Sequence, residues 1–172
     1  MSARSLKAQG FTLVEILIVV VILGILAAIV IPQFTSASES AKASSLVTQL
    51  QSLRSQLELY QLQHNGNYPS STTATFWDQL TEKTNIAGST TIATGEKEYG
   101  PYLQKEIVNP FEDSNSLVAD TTGDVDTGAA EGVGFLYNSN TGEIKAVIEE
   151  DKAKAVNLEA TDGDVVTYKK SS

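Results

Sequence analysis

The chain contains no cysteine, and among its 172 residues there are only one histidine, one tryptophan and one methionine. Without cysteine there is no disulfide, no thiolate zinc site, no iron–sulfur cluster and no cysteine nucleophile. Basic residues are also few, because 12 lysines and arginines stand against 21 aspartates and glutamates, for a net charge of -9. Since surplus negative charge repels nucleic acid at long range, we expect no nucleic-acid partner.

The sequence also lacks motifs of catalysis. It contains no G-x-S-x-G nucleophile motif and no glycine-rich phosphate-binding loop. Its single histidine, His64, continues a helical apolar stripe, which favours a packing or helix-end role over catalysis. The sequence therefore predicts a protein that is not an enzyme and that requires no cofactor.

A long apolar run lies near the N-terminus. It covers residues 11–31, and Glu15 is its only charged side chain. A helix of this length would be about 31 Å long, close to the thickness of a bilayer's hydrocarbon core. The charges ahead of it, Arg4 and Lys7, are both basic. We therefore predict one membrane span, with the N-terminus in the cytoplasm and residues 33–172 outside.

Glu15 needs an explanation, because a carboxylate within a bilayer-length helix is costly unless it is paired or protonated. One alternative is a helix-start signal, since acids favour the first turn and Glu15 would lie there if the helix began at Phe11. Another alternative is a secretory signal peptide, but its apolar region normally has about 7–15 residues and ends in a small-x-small cleavage site. The longer run and its early carboxylate favour a retained span.

The stretch KAQGFTLVEILIVVVILGILAAIVIP, residues 7–32, resembles the class III signal of the type IV pilin superfamily. In that family a short basic leader ends in a glycine, and a membrane peptidase cuts after it on the cytoplasmic side. The resemblance implies cleavage between Gly10 and Phe11, N-methylation of Phe11 and retention of the span. The predicted parts are a cleaved leader (1–10), a transmembrane assembly helix (11–32) and an extracytoplasmic pilin-like globular domain (33–172).

The resemblance also implies assembly into a helical filament. Cleavage would expose an amine on Phe11 one helical turn before the Glu15 carboxylate, and both charges would be unpaired in lipid. If the amine of an incoming subunit meets a neighbour's Glu15, two unfavourable buried charges become one hydrogen-bonded pair. Such a contact is heterologous, so its repetition builds an open filament.

Pro32 is the third residue that we assign to assembly. Proline lacks a backbone N–H and its ring clashes with the carbonyl four residues back, so we expect a kink or local opening between Ala28 and Pro32. The alternative is that the proline only marks the end of the span at the membrane surface.

The rest of the chain predicts an α+β fold. Apolar residues at spacings of three and four predict a helix to about His64, packed on the globular domain or, alternatively, in a coiled coil. A short helix is expected over residues 76–84. Two apolar runs, residues 132–138 and 143–148, predict a hairpin. Residues 164–169 are expected to form a third strand. We therefore expect a long N-terminal helix on a small C-terminal antiparallel sheet.

The Tyr68–Pro69 pair, the GPYL and NPF segments and the hairpin resemble the major pseudopilins of type II secretion systems. The lack of cysteine removes the C-terminal disulfide loop of many type IV pilins. This resemblance implies a location in the bacterial inner membrane, then in a periplasmic pseudopilus or an extracellular filament. The implied partners are copies of itself, minor pseudopilins, a prepilin peptidase, an inner-membrane assembly platform with its ATPase, and the lipid bilayer.

Two other functions remain open at this point. The chain could be the major subunit of a surface type IV pilus, which serves adhesion, motility or DNA uptake. In a different class, it could be a membrane-anchored extracytoplasmic binding module whose N-terminal anchor is never cleaved.

The segment DTTGDVDTG, residues 120–128, is a candidate calcium loop. Asp120, Asp124 and Asp126 provide hard oxygen ligands at close spacing, as calcium requires. An EF-hand is excluded, because Val125 stands where the loop needs glycine. Type II major pseudopilins hold calcium in a loop of the globular domain, so the resemblance implies calcium here. The alternative is a solvated acidic turn.

Overall fold

The computed structural model describes residues 11–120, 129–158 and 163–170. It separates into two units, Met1–Ser38 and Glu39–Ser172. In chain order the helices and strands are α1 (Leu13–Gln63), α2 (Thr73–Thr81), β1 (Leu117–Ala119), β2 (Phe135–Tyr137), β3 (Ile144–Glu149), α3 (Glu150–Ala155) and β4 (Val165–Tyr168).

The first unit holds the apolar part of α1. Every large apolar side chain from Phe11 to Ile31 is more than 40% exposed. By length and composition, α1 contains a segment that could cross a membrane. Exposed apolar surface on all sides is typical of a helix that is solvated by lipid, so this helix fits a membrane-anchored subunit.

α1 continues without interruption through Pro32. The hydroxyl groups of Thr35 and Ser36 donate to the carbonyl oxygens of Ile31 and Pro32, each at 3.2 Å. These side-chain donors add hydrogen bonds in the turn that follows the proline. The helix assignment is thus continuous across residues 28–32, and both the expected kink or local opening and the role of Pro32 in assembly stay predictions.

In the second unit, one face of α1 is buried. The residues at spacings of three and four along this face are at most 2% exposed: Leu46, Leu50, Leu53, Leu57 and Tyr60. They form one core cluster with inward residues of α2 and the sheet. Full burial of a leucine side chain stabilises the fold by about 2 kcal/mol. Packing of this face on the globular domain, and not in a coiled coil, is therefore confirmed.

α1 ends at Gln63, next to His64, where the sequence predicts its end. Asn65 and Gly66 both adopt left-handed backbone conformations, with φ of 56° and 84°. The Gly66 N–H donates to the Gln61 carbonyl oxygen at 2.9 Å, which closes the end of the helix. α2 then covers Thr73–Thr81, about three residues earlier than expected, and buries Phe76, Trp77 and Leu80.

The four strands form one mixed sheet in the order β1-β2-β3-β4. β2 and β3 make the predicted antiparallel hairpin, in which Phe135 pairs with Ala146. However, β1 lies parallel to β2, and β4 lies parallel to β3. The α+β class is thus confirmed, but the sheet is not antiparallel throughout as expected. The reason at one edge is α3, which separates β3 from β4 and lets the chain return in its original direction.

The turn between β2 and β3 is packed tightly against Tyr68. Gly142 lies in this turn with a φ of +75°, and a Cβ atom at its position would overlap the Tyr68 ring. The Gly142 N–H donates to the Asn138 carbonyl oxygen at 2.8 Å. The Asn138 side-chain oxygen accepts the N–H of Asn140 at 2.9 Å. This turn therefore needs both glycine's backbone freedom and its lack of a side chain.

We predict that Gly142→Ala lowers the free energy of unfolding by about 2–4 kcal/mol, because alanine adds left-handed strain and displaces the Tyr68 ring. Gly132→Ala is the matched control, since Gly132 has a φ of +78° but no atom within 4 Å of a built Cβ. Denaturant unfolding of the full-length protein in detergent measures both. If both variants lost the same amount of unfolding free energy, the contact with Tyr68 would not explain the need for glycine at residue 142.

Candidate functional site

Thr12 and Glu15 form a polar group at the start of α1. One carboxylate oxygen, Oε2 of Glu15, accepts the Thr12 N–H at 2.8 Å and the Thr12 hydroxyl at 2.9 Å. In return, the Thr12 hydroxyl oxygen accepts the Glu15 N–H at 3.2 Å. This reciprocal arrangement is a capping box, and it satisfies N–H groups that the first turn of a helix leaves without partners.

The capping box explains how the carboxylate is held in apolar surroundings. Lipid offers no hydrogen-bond donors, so the donors for Glu15 must come from protein, and Thr12 supplies two of them. The Thr12 N–H belongs to the peptide bond between Phe11 and Thr12. A cut between Gly10 and Phe11 would leave that bond intact, so the cap does not depend on the leader.

Glu15 thus lies in the first turn of α1, as the helix-start alternative expects. This geometry does not exclude assembly, because the hydrogen bonds from Thr12 all go to a single carboxylate oxygen. Phe11 lies just before the helix and is 84% exposed. Gly10 lies outside the described residues, so cleavage and methylation stay predictions. Pro32 lies much further along α1 and takes no part in this polar group.

Of the three predicted calcium ligands, only Asp120 is among the described residues. It directly follows β1, is 5% exposed, and donates its N–H to the Tyr137 carbonyl oxygen at 3.0 Å. A solvated acidic turn would leave this side chain in water, so that alternative does not describe Asp120. Asp124 and Asp126 lie outside the described residues. Within the described ranges, no three carboxylate or histidine side chains are placed to hold a metal ion.

His64 is buried and has a packing role, as predicted. Its Nδ1 lies 2.8 Å from the Tyr60 carbonyl oxygen, and its Nε2 lies 2.9 Å from the Thr84 hydroxyl. Because a carbonyl oxygen only accepts, we assign the proton to Nδ1 and let Nε2 accept from Thr84. The imidazole ring stacks on the Tyr60 ring, with 3.7 Å between the two ring centroids. Burial, and then the nearby Tyr102, raises the pKa of Tyr60 to about 12, so this phenol stays neutral.

Sequence reasoning missed the role of Arg54. Its guanidinium forms an ion pair with Asp164 and donates to the Ile144 carbonyl oxygen at 2.8 Å. These contacts tie α1 to the beginnings of β3 and β4. No local pattern indicates them, because Arg54 and its partners are far apart in the sequence.

The family comparison falls on the segment that contains this polar group. Residues 5–31 match the family model of the prokaryotic N-terminal methylation motif. This is the signal segment of type IV pilins. The matched residues include Thr12, Glu15 and the whole apolar run, residues 11–31. The motif thus agrees with the resemblance seen in the sequence.

Curated relatives extend the similarity beyond the span. The type II secretion system core protein G of Dickeya chrysanthemi is 42% identical over 64 residues, which are 37% of this chain and 41% of that protein. The protein of the same name from Pseudomonas aeruginosa is 47% identical over 64 residues, which are 37% of this chain and 44% of that protein. The protein of the same name from Aeromonas hydrophila is 38% identical over 81 residues, which are 47% of this chain and 54% of that protein.

The chain therefore matches only about half or less of the length of these relatives. No solved structure matches it significantly. The motif and the relatives together support a G-type pseudopilin, and they favour neither a surface pilus subunit nor an uncleaved binding module.

The capping box predicts that Thr12 and Glu15 are energetically coupled in the membrane. Thr12→Val removes the hydroxyl at nearly constant shape. In the wild-type background, valine enters lipid more favourably than threonine. This gain in insertion free energy should be offset by the loss of the two hydrogen bonds between the Thr12 hydroxyl and Glu15. In a Glu15→Leu background the hydroxyl has no carboxylate partner and accepts only the backbone N–H of residue 15, so Thr12→Val loses one hydrogen bond fewer. We expect insertion assays of the full chain to give a coupling free energy of about 1 kcal/mol.

Thr12→Ser is the matched control for this comparison, because serine keeps the hydroxyl. It should insert like the wild type. If Thr12→Val had the same effect on insertion in both backgrounds, the two residues would be uncoupled and the cap would play no part in the membrane.

Proposed function

We propose that this chain is the major pseudopilin of a type II protein secretion system, a structural subunit that polymerises into a type IV pilus-like helical filament. The observation that carries the proposal is a single capped carboxylate, Glu15, at the start of an exposed apolar helix and inside a methylation motif. The names and identities of the relatives support the pseudopilin over other members of the superfamily.

Processing at the membrane comes first in this proposal. A prepilin peptidase cuts between Gly10 and Phe11 on the cytoplasmic face, and the new N-terminus of Phe11 is methylated. The small glycine fits a tight peptidase site directly before the apolar helix. The basic charges of the leader are lost with the cut, so an amine and a carboxylate remain as the charged groups of the buried end.

Subunit pairing follows from the chemistry of these two groups. A carboxylate has two oxygens and about four acceptor positions, and Thr12 donates only to Oε2 of Glu15. The second oxygen, Oε1, can therefore accept the Phe11 amine of the next subunit while the cap stays in place. Pairing two desolvated charges sets the axial register between neighbours.

Removal of the helix from lipid requires another apolar environment. The large apolar side chains from Phe11 to Ile31 are exposed in the single chain. Exposure of this surface to water would be strongly unfavourable, since each such side chain contributes about 1.5–3 kcal/mol when buried. In the filament, the helices of neighbouring subunits would replace the lipid around this surface.

The remaining partners and the location belong to the same proposal. The subunit waits in the inner membrane with its N-terminus in the cytoplasm and its globular domain in the periplasm, as the basic leader favours. An assembly platform and its ATPase supply the work that moves subunits into a periplasmic pseudopilus, and minor pseudopilins join the polymer. The growing filament moves folded substrates outward, and the subunit itself performs no catalysis.

Glu15→Gln tests the pairing. Glutamine keeps the size and polarity of the side chain, and a bilayer span tolerates it at least as well as glutamate, so membrane abundance should stay normal. Loss of one partner from a desolvated ion pair costs about 3–5 kcal/mol, because the other charge stays buried and unpaired. That loss weakens each subunit contact more than a hundredfold, so filaments recovered by shearing should be few or short.

Glu82→Gln is the matched control, because it makes the same change at an exposed residue of the globular domain. It should leave filament yield unchanged. Normal filaments from Glu15→Gln would contradict the pairing but not the pseudopilin assignment. If the wild-type protein built no filament beside its secretion machinery, the assignment itself would fail.

We also propose that the acidic segment 120–128 binds calcium. Its support is the density of carboxylates, with Asp124 and Asp126 close in sequence to the nearly buried Asp120. Calcium that binds only the folded state would raise stability by about 2.7 kcal/mol at a hundred times its dissociation constant. Thermal unfolding of the full-length protein should therefore shift upward by several degrees in millimolar calcium relative to chelator.

The variant Asp124→Asn/Asp126→Asn is the control for this experiment, because it removes two of the charged ligands. It should unfold at the same temperature with and without calcium. Magnesium at equal concentration should have a smaller effect, since it prefers a tighter octahedral site. If the wild type unfolded at the same temperature in calcium and in chelator, the proposal that this segment binds calcium would be wrong.

A further inference from the structure

We draw no further inference here: the strongest candidate, the exposed groove beside α1 lined by Gln49, Ile107 and Val108, carries nothing because nothing in the structure shows what covers it.

Discussion

The function proposed for this chain depends on how one carboxylate is kept within an apolar helix. Glu15 has no charged neighbour in its run of apolar residues, and in lipid it has no water. Its own helix supplies part of the answer, since Thr12 donates two hydrogen bonds to one carboxylate oxygen. These bonds lower the cost of the charge but do not neutralise it. A buried, oriented and uncompensated charge favours pairing with a cation, and a newly cut N-terminus is the cation that processing would supply.

The two units of the chain are stabilised in different ways. In the second unit, leucines of α1 reach nearly complete burial against α2 and the sheet, so this domain depends on its own core. The apolar side chains of the first unit contact no such core and remain exposed. In the proposed function, lipid and then other copies of the chain cover this apolar surface. A protein with this division is suited to move between a membrane and a polymer.

Much of this fold could be predicted because its signals are local. The run of apolar residues gave the span, spacings of three and four gave the buried face of α1, and the hairpin followed from two apolar runs around a turn. The spacing of Thr12 and Glu15 is a capping-box signature, and it adds a reciprocal hydrogen bond to the helix-start preference of an early acid. β1 and α3 are too short to show a clear period. The Arg54–Asp164 pair and the parallel strand pairings join distant segments, so no local pattern indicates them.

In the proposed function, the apolar helix begins the mature protein and is kept for assembly. The most direct test is mass spectrometry of the N-terminal peptide of the membrane-bound and filament-bound protein. We expect a peptide that begins at Phe11 and carries one added methyl group, followed by the intact apolar sequence with Glu15. A mature protein that begins at Met1, or that begins beyond residue 32 because the whole span has been removed, would contradict the assignment.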